Sequence, residues 1–313
     1  MITLENIRIA RKRIASHIKL TPLMESKSLN ELSGARLFFK AEHLQLAGAF
    51  KIRGAVNAIL QLPFDSVVSG VATHSSGNHG AALARAAQIS NVRASVVMPV
   101  NATASKRQAV IHYGGKVIDC APGLAAREET LRNHVAETGD IVIPPYDDER
   151  IICGQGTVAL ELAEQLPDLD AVVVPVGGGG LLGGISLTLK QMGMSTRIYG
   201  AEPESADDAS RSFVSGVRVS SHEPNTICDG LQTVLGELNF AIIRKYTDDI
   251  LLVSENEIVE AMKLIWTRMK QVIEPSSAVT LAAVLKYPSL FAGKSVALVL
   301  TGGNVDLNKL PFN

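Results

Sequence analysis

Ala171-Val172-Val173-Val174-Pro175-Val176-Gly177-Gly178-Gly179-Gly180-Leu181 is the stretch that decides the fold. Six apolar residues in a row read as a buried strand, and Leu181 to Met192 reads as a helix. Between them lie four consecutive glycines. Strand, glycine loop and helix is the arrangement that lets bare backbone amides close on a phosphate. Packing gives little reason for four glycines in succession, since each costs backbone entropy on folding.

The same alternation runs outward in both directions. From about Gly70 come GVATHS (70–75), a helix over GAALARAAQ (80–88), ASVVMP (94–99), a helix over SKRQAVIHY (105–113), KVIDC (116–120), a helix near Arg127 and IVIPPY (141–146). A second series follows AVVVPV: RIYGAEP (197–203), DILLVS (249–254) and SVALVLTGG (295–303), with helices between. Both series predict α/β units with mainly parallel sheets. Leu4, Ile7, Ile14 and Ile18 fall near one face of an N-terminal helix that Pro22 must end. Pro144 and Pro145 mark a return of the chain, which divides it into residues 1–47 plus 146–313 and residues 48–145. Open parallel sheets bind ligands beyond the carboxyl ends of their strands. Ser75, Gly177 and Thr301 all come just after such strands.

Two further segments carry chemistry. In Ala49-Phe50-Lys51-Ile52-Arg53-Gly54-Ala55 a lysine stands among apolar and small residues. Partial burial lowers a lysine pKa towards the neutral amine that attacks an aldehyde to form a Schiff base. In Ser75-Ser76-Gly77-Asn78-His79-Gly80, backbone N–H groups, two hydroxyls and an amide meet the start of a helix, where an anion is attracted. An imine-forming lysine beside an anion cradle points to pyridoxal phosphate (PLP) chemistry on an amino acid.

Composition sets the class. The 313 residues are 46% hydrophobic and 19% charged with a net charge of −1, as in a soluble globular protein. That charge gives no reason to expect nucleic acid or an anionic membrane as partner. No basic region precedes an apolar segment at Met1, and no apolar run approaches the ~20 residues that span a bilayer. Cys120, Cys153 and Cys228 are odd in number, far apart and without metal-ligand spacing, which favours reduced core residues in a cytoplasmic protein.

AFKIRGA, THSSGNHG, GQGT (154–157), VPVGGGGLL, AEPESADD (201–208), TICDGL (226–231), IEPSSA (273–278) and LTGGNVDL (300–307) are collinear over nearly the whole chain. In them the chain resembles the fold-type II (tryptophan synthase β-like) PLP enzymes, and within these the serine racemase and serine/threonine dehydratase group, including 3-hydroxyaspartate dehydratases. The resemblance implies two three-layer α/β/α domains, residues 48–145 forming the small one, and a homodimer acting on a small amino acid. It implies α,β-elimination of a β-hydroxy amino acid, with serine racemase activity beside it. Lys51 would carry the cofactor and shuttle the α-proton. Phe50 would pack on the ring, Asn78 would donate to its phenolate oxygen, and Gly177, Gly178, Gly179, Gly180 and Leu181 would hold the phosphate. Thr301 would set a neutral hydroxyl against the pyridine nitrogen, a weaker electron sink that favours elimination over transamination.

For the substrate, the resemblance implies a carboxylate cradle of Ser75, Ser76, Asn78 and His79, although His79 also reads as a structural histidine. Ser76 would be either the acid/base on the face opposite Lys51, which racemisation requires, or a plain carboxylate-binding hydroxyl. Arg127 is a candidate for a β-carboxylate. Glu202 and Asp208, with the Ala206 carbonyl between them, match a Mg2+ or Ca2+ site; without the resemblance they read as loop carboxylates. Leu46 and Ala47 stand where ATP-activated members carry polar residues, and Ala49 replaces the more usual serine. With the sequence ending soon after LTGGNVDL, the regulatory domain of biosynthetic threonine dehydratases is not expected.

One alternative is a dinucleotide-binding oxidoreductase. Gly178, Gly180 and Gly183 fit G-x-G-x-x-G after a strand, with Glu202 where a ribose-binding acid belongs. That reading gives AFKIRGA and SSGNHG no role. A catalytically silent binding protein is the other.

Overall fold

The structure, a computed structural model, describes residues 2–63, 69–75 and 77–312. Among these residues ten strands form two sheets. The larger uses β1 (Leu23–Glu25), β2 (Arg36–Lys40), β7 (Ala171–Pro175), β8 (Arg197–Pro203), β9 (Asp249–Val253) and β10 (Ser295–Val299) in the order β1-β2-β10-β7-β8-β9. Only the edge pair β1–β2 is antiparallel. The smaller sheet uses β3 (Val71–His74), β4 (Ala94–Pro99), β5 (Lys116–Cys120) and β6 (Ile141–Val142) in the order β5-β4-β3-β6, all parallel. The fold is α/β, as expected.

The unbroken apolar run of β7 follows from burial on both faces. Val173 points into a core shared with Phe39, Leu251 and the helix Pro275–Lys286. Val172 and Val174 point the other way, against Val158, Leu182 and Ile185 from the helices Glu149–Gln165 and Gly180–Gln191. The small sheet is likewise covered twice, by Leu131 of Leu124–Thr138 on one side and Val110 of Ala104–His112 on the other. Helix, sheet, helix makes each unit three layers.

Some elements differ from the sequence reading. The N-terminal helix is Leu4–Ile14, capped by Thr3, and stops well short of Ile18 and Pro22. Only Ile141 and Val142 of IVIPPY pair as strand, because Pro144 and Pro145 have no N–H for a ladder. The strands β1 and β2 were not foreseen. Among the described residues no helix is long and apolar enough to cross a membrane, and all three cysteines are buried and free.

Candidate active site

Lys51 opens the helix Lys51–Ile59. Two left-handed residues, Ala47 (φ 58) and Gly48 (φ 70), reverse the chain just before it. The Phe50 amide donates to the Thr301 carbonyl at 3.0 Å, and Ala49 bridges to Gly302. The lysine is therefore seated on the loop that follows β10. Its amine donates to the Pro145 carbonyl at 3.0 Å and lies 5.1 Å from the Phe50 ring centroid. Loss of water contact draws its pKa down to about 8, with the carboxylate of Glu274 pulling the other way. Phe50 itself packs on the core between β7, β10 and the Gly180–Gln191 helix.

Asn78 begins the helix Asn78–Ile89, beyond the carboxyl end of β3. Its Nδ2 donates to both oxygens of Glu274, at 2.8 and 3.1 Å, and its Oδ1 accepts from Asn304 at 2.9 Å. Ser75 Oγ accepts from the amides of Gly77 and Gly80, at 3.2 and 3.1 Å. His79 is buried and bonds the Ile143 carbonyl through Nε2 at 3.1 Å. Burial, with Lys51 nearby, pushes its pKa down to about 3, so the ring is neutral. Ser76 lies outside the described residues. Thr301 Oγ1 and Ser277 Oγ are 3.1 Å apart, both buried.

The glycine loop leaves β7 at Gly177. Among the described residues, the amides of Gly177, Gly178 and Gly179 have no hydrogen-bond partner, although all three residues are buried. Helix Gly180–Gln191 adds the free amides of its first turn. Buried, unpaired N–H groups at a helix N-terminus fit an anion such as the phosphate of PLP. Why these four are glycines is more local. Gly179 is left-handed at φ 89. A Cβ on Gly178 would lie 2.3 Å from the Tyr146 ring. The loop is shaped by what packs behind it as much as by what it faces.

Arg127, in the first turn of Leu124–Thr138, donates to the Gly123 carbonyl (3.3 Å), and its charge helps lower the pKa of His74, whose first cause is burial. Glu202 and Asp208 are buried at 0% and 2% exposure, beside a buried Ala206. Glu202 Oε1 accepts from the Ser210 amide at 2.7 Å and Asp208 Oδ2 from the Leu235 amide at 2.8 Å. Oε2 of Glu202 has no partner among the described residues, and burial raises both carboxyls above their usual range. A buried acceptor left open beside a second carboxylate fits a cation. No third His, Cys, Asp or Glu side chain joins them among the described residues. A ribose acid would have to reach the glycine loop from the surface. Glu202 is instead enclosed and turned to Ser210, which removes that support for the dinucleotide reading.

Sequence reasoning passed over several residues that build this site. Glu274 and Ser277 lie in IEPSSA, a segment noticed but given no role. Glu274 is 3% exposed, and its carboxyl is pushed up to about 8 by burial and by Asp229, against the bonds from Asn78. A carboxylate just before Pro275, at a helix start, was the available signal. The carbonyl of Pro145 and the amide of Asn304 gave none, because they act through contacts remote in sequence.

Comparisons with known proteins agree with this geometry. The family of pyridoxal-phosphate dependent enzymes matches residues 14–302. A β-hydroxyaspartate dehydratase of Paracoccus denitrificans (strain Pd 1222) is 49% identical over 311 residues, covering 99% of each chain. A serine racemase of Arabidopsis thaliana is 48% identical over 310 residues, covering 97% of this chain and 94% of that one. The solved structure of maize serine racemase superposes with a TM-score of 0.95 at 43% identity, over 98% of this chain and 94% of that one. With a lysine seated between two sheets, an anion-ready glycine loop and matches of this extent, the chain belongs to the pyridoxal-phosphate dependent enzymes.

Proposed function

We propose that this chain is an ammonia-lyase converting a β-hydroxy amino acid to an oxo acid and ammonia, with interconversion of serine enantiomers as a lesser activity. The observation that carries the reading is the Lys51 amine, poised near neutrality at the junction of the two sheets, with the unpaired amides of the glycine loop at the same carboxyl-end face. PLP, when bound, supplies an electron sink for the pair left at Cα as its proton departs.

The chain's own residues do the rest. Gly177 to Gly180 and Leu181 hold the phosphate, Asn78 and Phe50 position the ring, and Lys51 takes the α-proton. The Thr301 hydroxyl, held by Ser277, is neutral and would not keep the ring nitrogen protonated as a carboxylate would, leaving a weaker electron sink. Ser75, Ser76, Asn78 and the backbone around His79 take the α-carboxylate. The water lost from Cβ is regained when the released enamine hydrolyses, so the net change is loss of ammonia. Arg127 offers a cation to a β-carboxylate, and the relatedness to a β-hydroxyaspartate dehydratase supports 3-hydroxyaspartate beside L-serine and L-threonine. The reading includes two working units, residues 1–47 with 146–313 and residues 48–145, in a cytoplasmic homodimer.

Steady-state kinetics on L-serine, D-serine, L-threonine and both 3-hydroxyaspartate diastereomers, following oxo acid and chiral products, tests it. Oxo acid from at least one L-substrate, faster than any racemisation, is expected. Racemisation without oxo acid from any of the five would refute it.

Glu202, Asp208 and the Ala206 carbonyl are proposed to hold Mg2+ or Ca2+, offsetting the burial that disfavours ionisation of the two carboxyls. Chelation should lower the unfolding temperature, and either ion should restore it. At a hundredfold excess over its dissociation constant a bound ion stabilises by ~2.7 kcal/mol. The Glu202→Ala/Asp208→Ala variant should show no such response; an unchanged response in it would place the cation elsewhere.

A further inference from the structure

Asn239 stands in the first turn of the helix Glu237–Tyr246, directly behind the glycine loop. It is fully buried. Its Nδ2 donates to the Gly178 carbonyl at 2.8 Å and to the Tyr146 carbonyl at 3.3 Å. The Gly178 carbonyl accepts a second bond from the Gly236 amide at 3.1 Å. Two donors thus hold one loop carbonyl from the rear.

The planarity of the peptide bond gives this a consequence at the front. In a trans peptide the C=O of one residue and the N–H of the next point in opposite directions. Fixing the Gly178 carbonyl towards Asn239 therefore fixes the Gly179 N–H away from it, and that N–H has no partner among the described residues. A loop of glycines has little steric preference of its own between one peptide orientation and its flip. The orientation has to come from outside the loop, and Asn239 supplies its side-chain share beside the Gly236 amide.

The second bond extends the arrangement to the lysine. Tyr146, whose carbonyl Asn239 holds, follows Pro145, whose carbonyl accepts from the Lys51 amine. Asp147 comes next and caps the Asn239 helix, accepting from the amides of Glu237, Leu238 and Asn239 at 2.9, 3.1 and 3.3 Å. The segment 145–147 thereby fixes, in three consecutive residues, the lysine, the loop and the helix behind the loop.

We propose that Asn239 is a positioning residue for the phosphate-binding amides: it aims the Gly179 N–H forward and sets the loop in register with Lys51. This rests on the reading that the glycine loop takes the cofactor phosphate, and the test separates the two. Asn239→Leu keeps the approximate shape and removes the side chain's bonds to the Gly178 and Tyr146 carbonyls, leaving the Gly236 amide in place; Asn239→Asp is isosteric and serves if the leucine variant fails to fold. The apoproteins are titrated with PLP and with pyridoxal, which lacks the phosphate, and their thermal unfolding is recorded.

Affinity for PLP should fall about tenfold or more in the variants, the size of one or two lost hydrogen bonds to a charged group, with pyridoxal affinity changed less than about twofold. Equal losses for both ligands, or a lowered unfolding temperature with PLP affinity intact, would overturn the proposal and leave Asn239 a packing residue. If the unmodified protein bound PLP no tighter than pyridoxal, the phosphate reading of the loop would fail first, and the proposal with it.

Discussion

Lys51→Ala is expected to lower oxo-acid formation by at least about a thousandfold, the scale that follows if one side chain serves, as proposed, both as covalent anchor and as proton carrier. The fold should survive, because among the described residues the lysine side chain makes one hydrogen bond, to the Pro145 carbonyl. Lys51→Arg is the informative companion. It retains a cation over the Phe50 ring but cannot form the covalent link, so it should be as inactive as the alanine variant. The depressed pKa has its own signature. An amine must be neutral to attack an aldehyde, and a fall from 10.5 to about 8 brings that state within reach near neutrality. Uptake of PLP by the apoprotein should accelerate about tenfold per pH unit up to pH ~8 and level off above it. A rate still climbing at pH 10 would mean that Lys51 is not desolvated, and a variant without Lys51 that kept turnover would remove the lysine from the mechanism.

The second large effect is on stability. Arg53, two residues beyond Lys51, is fully buried and bonds two carboxylates: Glu42 at 2.7 Å through both Nε and Nη2, and Glu161 at 2.6 and 2.9 Å. Lys40, equally enclosed, donates to Glu161 at 2.5 Å and to the Thr21 carbonyl at 2.8 Å. Two cations meet two carboxylates, so the set is neutral and every oxygen has a donor. Arg53→Met should destabilise by roughly 3–5 kcal/mol, because it leaves two buried carboxylates with one cation between them. Replacing the whole set with apolar residues would cost far less, since the penalty comes from the abandoned charge. Urea unfolding of the apoprotein measures it; a loss under ~1 kcal/mol would mean that water reaches Glu42 and Glu161.

That same set shows where the sequence was opaque. The RLFFK strand is short and ends in charges, so neither alternation nor an unbroken apolar run marks it. Lys40 reads as a surface residue, yet it is buried because Glu161, over a hundred residues away, receives it. Arg53 lies within AFKIRGA, where Lys51 drew the reading and the arginine was given no role. By contrast AVVVPV, ASVVMP and SVALV were legible because a strand covered on both faces has no polar positions to confuse the pattern. The glycine loop and SSGNHG were legible because backbone amides at helix starts are a local property. Glu274, Asn239, Asn304 and the Pro145 carbonyl act across long stretches of chain, and no local pattern announces such partners.

The position of β10 bears on the order in which the molecule can be made. The last strand of the chain is not at an edge of its sheet but between β2 and β7. Until it is synthesised, β2 and β7 have no common neighbour and the larger sheet stays in two pieces. The loop that follows then reaches back to Ala47 and Asn78, across 257 and 226 residues. Contacts so remote are entropically costly to close and tend to form late. A growing chain can therefore complete the smaller sheet early, but the pocket is assembled only after β10 has been made and inserted.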